Sequence, residues 1–107
     1  MTTTFRDLEV WRVAHQAVLE VYAMVRGFPA EERFVLSQQM RRAAISITGN
    51  IAEAFGRLTT ADRRHFWVIS RGSAEELKNY LILAKDLGFA REFTSLETGL
   101  DRVGALL

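Results

Sequence analysis

Residues 40–57, MRRAAISITGNIAEAFGR, decide how this chain folds. Read at 3.6 residues per turn, Met40, Ala44, Ile47, Ile51 and Phe55 fall on one apolar stripe, the signature of a helix that buries one side. Ala43, Ala52 and Ala54 are small enough to let neighbouring helices approach closely. A second face carries polar side chains at steps of three or four: Arg42, Ser46, Asn50, Glu53 and Arg57. Glu53 precedes Arg57 by four residues, the stabilising order for a pair on one helix. Arg42 lies too far along the axis to reach Glu53 within one chain. With its neighbour Arg41, it is expected to meet a carboxylate on another helix or another subunit. Arg41, Arg42, Ser46, Asn50 and Glu53 are therefore the candidate polar network and self-association motif.

Three further helices read out on either side, with no strand signal. A first helix is expected to open at Asp7 as N-cap, with Phe5 before it. Leu8, Trp11, His15, Val18, Tyr22 and Val25 keep a three-four spacing. Val10, Ala14, Ala17, Val21 and Met24 form a second apolar row beside them. This arc is wider than one bundle interior needs, so a second copy of the chain is expected to cover the remainder. Gly27, Phe28 and Pro29 stop the helix. The central helix is expected to start near Glu32 or Arg33 and to end at Phe55, with Gly56 as its C-cap glycine. Thr59 and Asp62 resemble a capping box ahead of a long third helix ending near Leu87. Its expected inner row is Phe66, Ile69, Ser73, Leu77, Leu81 and Ala84. Lys85, Gly88 and Phe89 suggest a Schellman-type ending. Thr94 and Glu97 open a shorter fourth helix with Leu96, Leu100, Val103 and Leu107 in register. Short connections between long helices imply antiparallel neighbours, so the expected fold is an all-α, antiparallel up-down four-helix bundle.

Composition limits the function classes. At 107 residues the chain fits one domain, residues 1–107. It has no cysteine, which excludes disulfide scaffolds and thiolate metal sites. No apolar run approaches the roughly 18 residues of a membrane span, and the N-terminus has no signal-type segment, so the expectation is a cytoplasmic protein without membrane contact. The formal net charge is +1, but it is unevenly spread. Residues 1–32 and 72–107 each carry a net −2, while residues 33–71 carry +5, with seven arginines against Glu53 and Asp62.

Here the sequence resembles a known family. FRDLEVW, FP followed by ERF, QMRRAAISITGNIAEAFGR and GSAEEL are similar to the four-helix-bundle proteins first noted as encoded in intervening sequences of bacterial large-subunit rRNA genes. The likeness runs from Phe5 to about Phe89. Relative to the family pattern, Thr48 stands where proline is common, Gly49 where serine is common and Ala54 where glycine is common. The resemblance implies a bundle of four antiparallel helices assembled into a homopentameric ring, and it implies no established reaction. A related group, the accessory variability determinants of diversity-generating retroelements, implies a basic barrel that engages nucleic acid and a reverse transcriptase.

Catalytic chemistry finds little support. His15 falls in an apolar row and reads as a core histidine. His65 follows Asp62 by one turn, but no second histidine or Glu-x-x-His pair accompanies it. No residue is assigned to catalysis, metal or cofactor. Arg57, Arg63, Arg64 and Arg71 straddle the second connection and the start of the third helix, where a helix N-terminus also favours anions. Trp67 beside them is suited to stacking on a base. These five residues are the candidate surface for RNA or DNA. The competing reading makes the arginines partners of the acids at 75, 76, 92 and 97, and makes the assembly a scaffold for a protein such as a reverse transcriptase.

Overall fold

The computed structural model describes residues 4–107, and among them every regular element is helical. Four α-helices follow in order: α1 (Glu9–Val25), α2 (Leu36–Phe55), α3 (Thr60–Asp86) and α4 (Thr94–Leu106). Single 3₁₀ turns at Phe5–Asp7 and Ala30–Glu32 precede α1 and α2. Each helix packs beside its chain neighbours, and α4 closes the bundle against α1. Cross-helix bonds fix the antiparallel senses. Ser70 Oγ donates to the Ile47 carbonyl at 2.8 Å between α3 and α2, and Arg102 reaches Glu9 at 2.6 Å between α4 and α1. The molecule is elongated, 43 × 22 × 18 Å. The 27 residues of α3 alone span about 40 Å at a rise of ~1.5 Å per residue.

The core is drawn from one stripe of each helix. Ala14, Ala17 and Val21 come from α1, and Met40, Ala44, Ile47 and Ile51 from α2. Leu77, Leu81 and Ala84 come from α3, and Leu96, Leu100 and Val103 from α4. Alanines are frequent where α2 meets α3, and small residues there bring the two axes close. Phe28 seals the end of the core against Phe89, with ring centroids 5.6 Å apart.

Several local expectations change. Asp7 is not the N-cap of α1. Thr4 and Asp7 close a reciprocal capping box around the first 3₁₀ turn, and α1 starts two residues later behind Leu8, which has no side-chain cap. Arg12 Nη1 then donates to the Asp7 carbonyl at 2.7 Å, holding the turn to the helix. The start of α2 moves from Glu32 or Arg33 to Leu36, because the chain first makes the Ala30–Glu32 turn and Val35 leaves helical geometry. Phe34 and Val35 are left exposed, Phe34 by 75%. The inner row of α3 is rotated. Ser70 and Ala74 are buried in place of Ile69 and Ser73, because only small side chains fit between two closely approaching helices. His15 is not a core histidine. It is exposed and stacks on Trp11, ring centroids 4.7 Å apart and nearly parallel.

The helix ends show their causes. Thr59 accepts from the Asp62 N–H at 3.1 Å and caps α3. At the other end, Phe89 N–H bonds the Ala84 carbonyl at 2.8 Å and Gly88 N–H the Lys85 carbonyl at 3.0 Å. This is the Schellman pattern, with Gly88 at φ +82°. Gly56 caps α2 without using a glycine's freedom, at φ −79° and ψ −8°. The start of α4 is held by the Glu92 carboxylate, which accepts from the Thr94 N–H; hydrogen bonding by the Thr94 side chain first, and by its backbone second, lowers the Glu92 pKa. Lys78 spans α3 and α4, 2.8 Å from Asp101 and 3.0 Å from Glu75. Its bonds to Asp101 first and Glu75 second raise its pKa above the ordinary lysine value. Among the described residues, no helix is long and apolar enough to cross a membrane.

Candidate nucleic-acid interface

The α2–α3 hairpin carries four of the candidate arginines at its closed end. Arg57 leaves the C-terminus of α2 and pairs with Glu53 at 3.0 Å. Its guanidinium also lies 4.6 Å from the centroid of the Phe66 ring, a cation–π distance. Arg63 Nε donates to the Arg57 carbonyl at 2.8 Å, which ties the first turn of α3 back to the connection. Arg64, Trp67 and Arg71 follow at three- and four-residue steps, so they share one side of α3. Together with Thr60, Val68 and Leu107 they line a cleft of about 400 Å³ beside the end of α4.

Charge in this region is largely uncompensated. The ion pairs among the described residues are Arg57–Glu53, Lys78–Glu75, Lys78–Asp101 and Arg102–Glu9. Arg63, Arg64 and Arg71 take part in none of them. The acids expected to neutralise them are engaged elsewhere or lie apart: Glu75 holds Lys78, and Glu92 caps α4. No acidic side chain lines the Arg64–Trp67–Arg71 cleft. Leu58, at the tip of the hairpin, is 95% exposed.

The polar stripe of α2 divides into two groups. Ser46 Oγ lies 2.8 Å from Ser73 Oγ, and Asn50 Nδ2 donates to the Ser46 carbonyl at 2.8 Å and to its hydroxyl at 3.1 Å. These three half-buried side chains bridge α2 to α3. Glu53 joins Arg57 rather than this bridge. Arg42 is exposed and makes no hydrogen bond or ion pair among the described residues. Arg41 is placed away from the network, on the side of α2 that faces α1, where its Nη2 donates to the Arg33 carbonyl at 3.2 Å. Ser73 was legible only as an inner-row residue, and Ser70 was not singled out. The signal for both is a serine in register with small residues of α2. Among the described residues, no three histidine, aspartate or glutamate side chains come together as metal ligands would.

The class these observations define is an all-helical protein of four α-helices with an arginine-bearing hairpin end. Residues 6–107 match the family model described as 23S rRNA-intervening sequence protein, and the chain belongs to that family. No curated protein matches the chain.

Proposed function

We propose that this protein is a non-catalytic, homopentameric helical bundle that binds nucleic acid at the closed end of the α2–α3 hairpin. The observation that carries the reading is the cleft in which Arg64 and Arg71 flank Trp67 with no acidic side chain on its walls. Guanidinium groups form bidentate contacts to phosphate, and an indole offers a stacking face to any base. Arg57 and Arg63 extend the same surface around the tip. Several copies in one assembly would sum weak phosphate contacts through effective concentration. The family's name, 23S rRNA-intervening sequence protein, is compatible with a nucleic-acid partner and does not by itself identify one.

The test is a fluorescence-anisotropy titration with a labelled generic RNA at about 50 and 200 mM salt. A protein making 6–10 phosphate contacts loses roughly 10³–10⁵ in affinity over that range. The double variant Arg63→Glu, Arg64→Glu is expected to abolish binding with an unchanged circular dichroism spectrum. No binding at low salt, or binding that survives the two charge reversals, would overturn the assignment and direct the search to protein partners.

A further inference from the structure

A second arginine cluster lies at the opposite end of α2, roughly 25 Å from Arg57 at ~1.5 Å per residue. The end of α1, the connection after it and the start of α2 enclose a recess with two adjoining lobes of about 320 and 260 Å³. Val25, Arg26, Arg33 and Arg41 line both lobes. The three arginines come from three different places: the C-cap of α1, the connection, where the Arg33 guanidinium also lies 5.3 Å from the Phe34 ring, and the second turn of α2. No carboxylate lines either lobe, and Glu31 and Glu32, the nearest acids in the chain, stand outside it.

Two further features point into the recess. Ser37 is only 3% exposed and its side chain makes no hydrogen bond among the described residues, yet it lines the same lobe as Arg33 and Arg41. Its hydroxyl is therefore free to donate to an acceptor that enters the recess. Ser37 also stands in the first turn of α2, whose N-cap Val35 gives no side-chain bond. The first N–H groups of that helix therefore lack a capping acceptor and favour an anion. Helix-end geometry alone would not make a site; the unpartnered serine and the three arginines that line one recess do.

We propose that this recess binds a phosphate monoester. Three guanidiniums exceed what one carboxylate neutralises, whereas a phosphate monoester carries about −1.5 to −2 charge and three acceptor oxygens at neutral pH. Tyr22, Phe28 and Pro29 form an apolar wall for the organic part of the ligand. The same chemistry is presented by a small phosphorylated metabolite and by the 5′ end of a nucleic-acid strand. The proposal does not depend on the RNA surface at the hairpin end.

Isothermal titration at fixed ionic strength, with inorganic phosphate and with adenosine monophosphate, tests it. Binding tighter than about 1 mM is expected for at least the nucleotide. Arg26→Gln and Arg41→Gln are each expected to weaken it at least tenfold, and Ser37→Ala several-fold. Arg64→Gln with Arg71→Gln is expected to leave it unchanged. Arg41 bonds the Arg33 carbonyl, so if its variant loses helicity the exposed Arg26 carries the test. A 5′-phosphorylated oligonucleotide compared with its 5′-hydroxyl twin distinguishes a strand end from a free metabolite. No heat at 10 mM of either small ligand, affinity unchanged in Arg26→Gln, or affinity lost only with Arg64 and Arg71 would each overturn the site.

Discussion

Ser70 illustrates how a single side chain sets the spacing of two helices. It is fully buried, and its hydroxyl donates to the Ile47 carbonyl across the α2–α3 seam. Two opposing effects decide what Ser70→Ala does. The lost hydrogen bond is worth about 1 kcal/mol. Alanine returns roughly 0.5 kcal/mol of helix propensity. A net loss of about 0.5 kcal/mol is expected from urea unfolding. Ser70→Leu acts differently, because Ala43, Ala44 and Ala74 leave the core around the seam built from small side chains. Overpacking there is expected to cost about 1–3 kcal/mol. A Ser70→Leu protein with wild-type stability would mean that the helices are not held by close approach. This residue also explains one misreading of the sequence. Ile69 and Ser73 offer more apolar surface than Ser70 and Ala74, so hydrophobic periodicity favours their row. Which row faces inward is set by how near α2 comes, and that distance is a property of two helices rather than of one.

At the scale of elements, the two helix-ending glycines look alike in sequence and differ in physics. Gly88 ends α3 at φ +82°, where an L side chain meets its own backbone. Gly88→Ala is expected to destabilise the protein by about 1 kcal/mol or more. Gly56 ends α2 in right-handed geometry, and a methyl group there would meet only the Glu53 carbonyl at 3.6 Å and the Ala52 carbonyl at 4.0 Å, ordinary contact. Gly56→Ala is expected to stabilise by about 0.4–1 kcal/mol through the unfolded chain. Thermal melts of the two variants should move in opposite directions, and equal shifts would contradict the assigned backbone geometry. The helices themselves were legible because Leu96, Leu100 and Val103, or Met40, Ala44, Ile47 and Ile51, repeat over several turns. Their beginnings were less so. Apolar spacing continues back through Phe34 and Val35, although the chain has already turned away there, and periodicity cannot register that turn. The candidate site was legible as a cluster of arginines, since 57, 63, 64 and 71 are close in sequence. The recess of Arg26, Arg33 and Arg41 was not, because only the α1–α2 turn brings those three together.

At the scale of the whole molecule, the outer side of the α2–α3 pair is the surface that the proposed self-association would use. Ile69, Ser73, Glu76, Tyr80 and Leu83 form one row of α3, continued by its C-cap Leu87, and Gln39, Arg42, Ser46, Gly49 and Glu53 form one row of α2. The Ser46–Ser73 contact joins the two rows. The face exposes Ile69, Leu83 and Leu87. It carries both charge signs, with Arg42 making no hydrogen bond or ion pair among the described residues, and at Gly49 and Gly72 no atom stands within 4 Å of where a Cβ would be. An apolar, mixed-charge face with bare backbone suits a second copy of the same chain. Sedimentation equilibrium at about 10 µM is expected to give a multiple of 12.2 kDa, five by the proposed assembly. The double variant Ile69→Gln, Leu83→Gln is expected to sediment as a monomer with its helicity kept. A wild-type monomer at that concentration would remove the assembly. The same variant also tests how assembly and binding are linked. Its arginines at 57, 63, 64 and 71 are untouched, so any loss of RNA affinity arises from valency alone. Joined copies raise effective concentration, and avidity of this kind reaches about 10²–10⁴. The salt slope should flatten together with the affinity, since fewer phosphates are neutralised per bound particle. A monomeric variant that kept both full affinity and full slope would show that one hairpin end suffices, and the ring would then need another purpose.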